Sequence, residues 1–519
     1  MATTYIYAIG GTGSRVLRSL SMFLAAGCGG TAVNSEIVPI ILDYDTTNGD
    51  LKKTIEVLER YNKIHSAIYQ PTDSDKTTFF GTPVIKIKDK AAQAQNPDGI
   101  VFQQQSGYNA CLNGAPGQGN ANGTLTFDKF LGLQTMTPQN GSYETHQLLT
   151  SLYNNNPQDD ALTELYMDFV QGFLGCPNIG CLVSKNFTET AEYQSACSNF
   201  NPNSDKILII GSVFGGTGAS GIPMLLDALR DDQRTNNAKI AVLAMLPYYK
   251  IDQDPHSPVS SETFMAKTKA AMTAYELPNN VNAKADRLYY VGDPDMFMAF
   301  PNNPGKDRQI NKALFAEFVA AMCVVDFMQL PINSIPNGAY ECGLTDNAPI
   351  SSPGNPIAGT EHTIKWEHFF DKETITPFIE PLMRFTIFEK FFAEYKPVAN
   401  DTWFGNNGLD DSNDLVIALR DYSEDLFTWL AELAGPYRPL LLFHPKKDGY
   451  DDLLEHKPLA RPGFMGIGRQ HAFKERDIAD EFGRAFRNYQ TLTGRTPEYR
   501  FIKTVDEAMR VISSKIKNF

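Results

Sequence analysis

The chain has 519 residues, 42% of them hydrophobic and 20% charged, with a formal net charge of −14 at pH 7. That length predicts more than one domain, and the composition excludes intrinsic disorder and any need for a disulfide or metal staple. No dense run of Lys or Arg suggests a nucleic-acid surface, and no run of about 18 apolar residues reads as a membrane span. The seven cysteines are scattered without a C-x-x-C pair, which indicates neither a zinc ribbon nor a disulfide framework. The opening Met1-Ala2-Thr3-Thr4-Tyr5 lacks the charged-then-apolar pattern of a signal peptide, so a reducing cytoplasm is expected.

Thr3–Ile9 is a β-branched and aromatic run ending in Gly10-Gly11-Thr12-Gly13-Ser14. Val16, Leu17, Leu20, Phe23 and Leu24 then recur at helical spacing, which predicts strand, glycine turn and helix in succession. Ile37–Leu42 predicts a second strand that stops at Asp43-Tyr44-Asp45, and a helix follows through Leu51–Tyr61. Such a β-α-β-α unit implies a parallel sheet with right-handed crossovers. From about 62 to 205 the chain is rich in Asn, Gln, Gly, Ser and Thr, and reads as a large insertion. Helical segments are expected in it near 125–135 and 159–174, and a glycine-rich loop at Gly114–Gly123. Lys206–Gly211 is a fully apolar strand, followed by the glycine-rich stretch Ser212–Pro223 and a helix at Met224–Arg230. Strands at Ile240–Leu246 and Arg287–Val291 flank a helix near 261–276. A long central helix fits Lys306–Gln329, with Ile310, Leu314, Phe318, Ala321 and Val325 on one face and Pro331 as its stop. Pro, Asn and Gly crowd 331–360, and helix-like segments follow at 372–395, 413–434, 471–489 and 504–517. The expected organisation is one domain over 1–330 and an α+β C-terminal domain over 331–519.

A glycine-rich turn between a strand and a helix lets backbone N–H groups approach a phosphate, and the helix dipole favours the anion. Glycine also serves any tight turn, so one such loop says little. Here two follow buried strands and open helices, at Gly10–Ser14 and Gly215–Gly221. Placed in one parallel sheet, both would lie at its carboxyl edge, where open α/β folds bind ligands. Asp43 and Asp45 offer hard oxygens suited to Mg2+, often through water, or Asp43 serves as a helix N-cap or turn residue. The Walker-type G-x-x-x-x-G-K-[ST] loop, the G-x-S-x-G elbow and H-E-x-x-H are absent from the sequence. A dinucleotide G-x-G-x-x-G fails because Val16 stands where its third glycine belongs.

Phe214-Gly215-Gly216-Thr217-Gly218-Ala219-Ser220-Gly221-Ile222-Pro223 resembles the tubulin/FtsZ signature, written Gly-Gly-Gly-Thr-Gly-Thr-Gly-Ala-Ala-Pro in FtsZ. The two align without a gap, departing at Phe214 and Ser220. Gly10-Gly11-Thr12-Gly13-Ser14-Arg15 is similar to tubulin's Gly-Gln-Cys-Gly-Asn-Gln, and Leu42-Asp43-Tyr44-Asp45-Thr46 to its Val-Asp-Leu-Glu-Pro. Gly114-Ala115-Pro116-Gly117-Gln118 looks like a third loop in bacterial tubulin-like proteins. The resemblance covers elements within 1–60 and 205–330. It implies an α/β, Rossmann-like GTP-binding fold of tubulin/FtsZ type that holds GTP or GDP with Mg2+. The phosphates would be held by Gly10, Gly11, Thr12, Gly13 and Ser14, by Gly117 and Gln118, and by Gly215, Gly216, Thr217, Gly218 and Ala219. Asp43 and Asp45 would face the metal, Asn311 would read the guanine edge, and Asp293 would add a base or ribose contact. It further implies a head-to-tail homopolymer served by protein adaptors, with the nucleotide between subunits. The family's Asn-x-Asp-x-x-Asp hydrolysis motif has no match after Leu330; Glu367 and Asp371 are the candidate carboxylates if 331–360 is an insertion. Nucleotide binding is therefore expected more firmly than turnover.

Overall fold

In β1 (Ala2–Ile9), Ile6 and Ala8 enter one buried cluster while Tyr5, Tyr7 and Ile9 enter another, so both faces of the strand are covered. The same alternation divides Leu208 and Ile210 from Ile207 and Ile209, as period-two side chains require. Strands buried on both faces belong to parallel sheets with helices above and below. The protein is seen in a computed structural model that describes residues 2–28, 35–45, 48–70, 79–87, 126–153, 164–254 apart from 168, 170 and 171, 257–303 apart from 258, 294, 295 and 297, 307–342, 372–394, 412–435, 475–489 and 494–515, with single positions 409, 440 and 492.

The remaining strands are β2 (Ser35–Leu42), β3 (Lys206–Ser212), β4 (Lys239–Met245), β5 (Lys250–Ile251), β6 (Arg287–Val291), β7 (Ala299–Phe300) and β8 (Gly338–Glu341). Six of them form one sheet in the order β2-β1-β3-β4-β6-β8, and every adjacent pair is parallel. The expected α/β class with a parallel sheet is thus observed. An isolated parallel bridge between Ile37 and Val84 extends it beyond β2. β5 and β7, from the connections after β4 and β6, pair with each other separately.

The principal helices are α1 (Gly10–Ala25), α2 (Gly49–Ile68), α3 (Thr217–Asp231), α4 (Phe264–Tyr275), α5 (Phe315–Gln329), α6 (Lys372–Glu394), α7 (Asp414–Leu433), α8 (Glu475–Tyr489) and α9 (Pro497–Lys515). From β1 the chain moves outward to β2, then returns across β1 to place β3 on its other side. Right-handed crossovers in opposite directions put their helices on opposite faces. Accordingly α1 packs Val16, Leu17 and Leu20 into the first cluster, and α3 packs Ile222, Leu225 and Leu226 into the second. Apolar residues of α6, α7, α8 and α9 belong to the same cluster as α1 and α5. Within 331–519, β8 joins the main sheet, and the principal described elements after it are the helices α6, α7, α8 and α9.

Several elements differ from the sequence expectation: α2 runs on to Ile68, α9 begins at Pro497, and β8 forms within the stretch rich in Pro, Asn and Gly after 331. α3 begins at Thr217 and carries Pro223 within it, where the helix was expected from Met224. The described part of 159–174 holds the 3-10 turn Glu164–Tyr166 and a further 3-10 position at Phe169, and no α-helix. The central helix starts at Phe315, not Lys306. The reason lies in three carboxylates. Asp50 accepts the Asn311 N–H at 3.0 Å, Glu432 the Ala313 N–H at 2.8 Å, and Glu317 the Leu314 N–H at 3.1 Å. Those N–H groups are satisfied outside a helix, so 311–314 stays out of α5.

Candidate functional site

β1 and β3 are neighbours, and the chain leaves them in opposite directions, which makes their carboxyl ends a topological switch point. α1 and α3 open there, and neither has a side-chain cap or an acidic residue in its first turn. Their leading N–H groups therefore face one crevice from two sides. A Cβ built on Gly10 would lie 3.5 Å from the Thr217 Cβ, so the two glycine loops touch. Between them opens a cleft of about 990 Å3, its mouth included.

Gly10, Gly11, Thr12, Asp43, Asp45, Gly215, Gly216, Thr217, Gly218 and Asn311 all line this cleft. Gly10 has φ +71°, which suits glycine alone at little cost. Gly218 sits against β3, where a Cβ would come within 2.5 Å of the Ser212 carbonyl oxygen and 2.6 Å of its nitrogen. Gly13 and Ser14 lie behind the cleft. A Cβ on Gly13 would strike Ala8 at 2.7 Å, so this glycine packs α1 onto the sheet. Ser14 is buried with its hydroxyl donating to the Gly10 carbonyl at 3.2 Å. Ala219 and Asp293 are not among the lining residues; the Asp293 N–H donates to the Pro247 carbonyl. Gly117, Gln118, Glu367 and Asp371 lie outside the described residues.

The Asp43 carboxylate accepts the Asp45 N–H at 3.1 Å, and the N-cap of α2 is Asn48. Asp43 is thus a turn residue that also faces the cleft, and the N-cap alternative is corrected. Burial raises the Asp43 pKa to about 7, and repulsion from Asp45 adds to it. Among the described residues no three His, Cys, Asp or Glu side chains converge as a metal cage.

Several lining residues escaped the sequence reading. Asn48 Oδ1 accepts the N–H groups of Asp50 and Leu51 at 2.9 and 3.2 Å. Its Nδ2 must then be the group that donates to Gln309 Oε1, at 2.7 Å, which leaves Gln309 Nε2 as a donor beside Gly11. Both lone pairs of Asn48 Oδ1 are thus used, and Gln309 Nε2 presents a donor toward the cleft. Asn311 precedes α5 and does not belong to it; its Nδ2 donates to Asp50 Oδ2 at 3.0 Å. The insertion returns to the cleft at Gly172–Gly175, where Gly172, Leu174 and Gly175 all have positive φ and the Phe173 ring packs tilted against Tyr44 with centroids 4.5 Å apart. Phe214, which replaces the first signature glycine, packs on Phe264 at 4.8 Å and Tyr249 at 5.6 Å. With Phe300 these rings form an apolar wall of the cleft.

Arg15 also lines the cleft, although only 1% exposed. Its guanidinium donates to Glu317 at 2.6 Å, Asp50 at 3.0 Å and Tyr248 at 2.7 Å. Burial opposes this charge, but Tyr248, Glu317 and Asp50 hold its pKa above the ordinary value. No protein-family model matches the sequence, and no curated protein is significantly similar to it.

Proposed function

We propose that this protein binds a guanine nucleotide, GTP or GDP with Mg2+, in the cleft between the two glycine loops. The observation that carries the reading is the close approach of Gly10 to Thr217, both lining one cleft, where two uncapped helix N-termini open. That arrangement suits a polyanion with several phosphates better than one. The tubulin/FtsZ resemblance of the same loops supports guanine, and the donor left on Gln309 suits acceptor groups such as phosphate oxygens or the guanine carbonyl. Asp43 and Asp45 fit Mg2+, which takes one or two carboxylates together with phosphate oxygens. When bound, the ion would neutralise phosphate charge beside the buried carboxylates.

By the same resemblance the subunits stack head to tail, a heterologous contact that yields filaments where rotation does not close a ring. Turnover of GTP would need a carboxylate from the neighbouring subunit. A scaffold that holds nucleotide without hydrolysing it is the second reading, favoured by the lack of the family's acidic motif after Leu330.

The test is to purify the protein without added nucleotide, denature it by heat and identify the released small molecule. Guanine nucleotide is expected; a nicotinamide dinucleotide would replace this reading with an oxidoreductase. Addition of GTP should then produce a pelletable, light-scattering polymer. Its absence at all protein concentrations would remove the filament proposal while leaving nucleotide binding intact.

A further inference from the structure

α5 is the crossover between the parallel strands β6 and β8, so it runs antiparallel to them. Its C-terminal end is marked by Lys206, at the start of β3, whose ammonium donates to the carbonyls of Phe327, Met328 and Leu330. One turn earlier, Asp326 accepts from Arg287 at 3.1 Å and from Tyr289 at 2.5 Å, both on β6. Cys323 lies three residues before Asp326 and therefore on the same helix face, one step nearer the carboxyl ends of the strands. At that level the chain leaves β8. Glu341 pairs with Tyr290, and the Cys342 N–H donates to the Tyr290 carbonyl at 3.2 Å. Cys323 is buried and Cys342 is half-buried against the same apolar cluster.

We propose that Cys323 and Cys342 form a reversible disulfide, a redox modification site that joins α5 to the edge strand β8 and is oxidised by hydroperoxides. The Cys342 thiolate attacks one peroxide oxygen, the O–O bond breaks, and hydroxide leaves to take up a proton as water. The Cys323 sulfur then attacks the resulting sulfenic sulfur, and the S–O bond breaks with loss of a second water. Two thiols and one hydrogen peroxide thus give one disulfide and two waters; the sulfurs lose two electrons and the peroxide gains them.

The order of attack follows from exposure and charge. The Cys323 thiol holds Cys342 below its usual thiol range, and Arg287 adds to this while burial and Asp326 oppose it. Contact with Cys342 and burial push Cys323 up. Burial also raises Cys28, Cys176 and Cys181, and raises Cys197 to about 11, which leaves these thiols poor nucleophiles. The proposal does not depend on the nucleotide reading.

The test uses the reduced full chain, treated with hydrogen peroxide at stoichiometric dose and alkylated before a non-reducing digest. The expected results are a peptide cross-linked through Cys323 and Cys342, a fall in titratable thiols from seven to five, and full recovery with dithiothreitol. In C323S, dimedone should label Cys342, because its sulfenic acid has no resolving partner. In C342S the loss of thiols should slow at least tenfold. A fall of one thiol or none in the wild-type protein, or a cross-link that leaves out either cysteine, overturns the proposal even if a variant fails to fold.

Discussion

Gly218 and Gln309 face the same cleft and fail in different ways when changed. A methyl on Gly218 would lie 2.5 Å from the Ser212 carbonyl oxygen, a backbone atom that cannot swing aside. Gly218→Ala should therefore shift α3 from β3 and return from purification without nucleotide, with stability lowered by about 1–3 kcal/mol as for other overpacked sites. Retention of wild-type nucleotide occupancy would show that the second loop is not part of the cradle. Gln309 tests the ligand's polarity. Gln309→Glu keeps its size but replaces the donor beside Gly11 with a carboxylate. Nucleotide affinity measured by calorimetry should fall at least tenfold, about 1.4 kcal/mol. Equal or tighter binding would mean that the ligand presents a donor there.

Among the elements, the buried charges beneath the first loop decide how α1, α2 and α5 meet. Arg15 on α1 joins Asp50 on α2 to Glu317 on α5, and all three are at most 1% exposed. Arg18 and Lys53 then reach Glu432 on α7 at 3.4 and 3.0 Å, which carries the network into the C-terminal helices. Removing one member of a buried pair leaves an uncompensated charge, at a typical cost of about 3–5 kcal/mol. Arg15→Met should destabilise the protein by that order. The double variant Arg15→Met, Glu317→Gln should lose less than the sum of the single losses, because each deletion removes the other's partner. Additive losses in urea unfolding would contradict this coupling. The network also explains the central helix: Asp50, Glu432 and Glu317 hold 311–314 out of it and so deliver Gln309 and Asn311 to the cleft.

For the whole molecule, the pH dependence of folding should carry the signature of Glu389. This residue of α6 is fully buried, accepts a hydrogen bond from Ser423 of α7, and has no partner at Oε1 among the described residues. Burial raises its pKa from 4.5 to about 8, with the Ser423 hydroxyl acting against the rise. The folded protein therefore keeps a proton that the unfolded chain releases, and stability falls as pH increases from 4.5 to about 8. Glu389→Gln should flatten that slope and exceed wild-type stability at pH 8 by a few kcal/mol, on the order of the linkage value. Denaturant titrations at pH 5 and pH 8 measure it. An unchanged slope would show that Glu389 ionises freely in the folded protein.

Local chemistry made much of this fold readable. β1, β3, β4 and β6 are continuous apolar runs because both of their faces are covered, and the glycine turns after β1 and β3 stand out because Gly10 holds a positive φ while Gly13 and Gly218 leave no room for a Cβ. Asp43 and Asp45 were visible for a similar reason: they end an apolar strand abruptly. Gln309, Asn48 and Phe173 carried no such mark. Each is an ordinary polar or aromatic residue in sequence, brought to the cleft by partners up to 261 positions away, as in the bond between Asn48 and Gln309. Helical periodicity extended the central helix through Ile310 because it registers apolar spacing and cannot register which carboxylate takes a backbone N–H. Patterns along the chain thus determined β1, β2, β3, β4, β6 and both glycine loops, since these depend on each residue's own shape and polarity, but not the short strands β5, β7 and β8. The tertiary structure decided which buried charges meet and which ordinary side chains surround the cleft, because those contacts arise only when distant segments pack together.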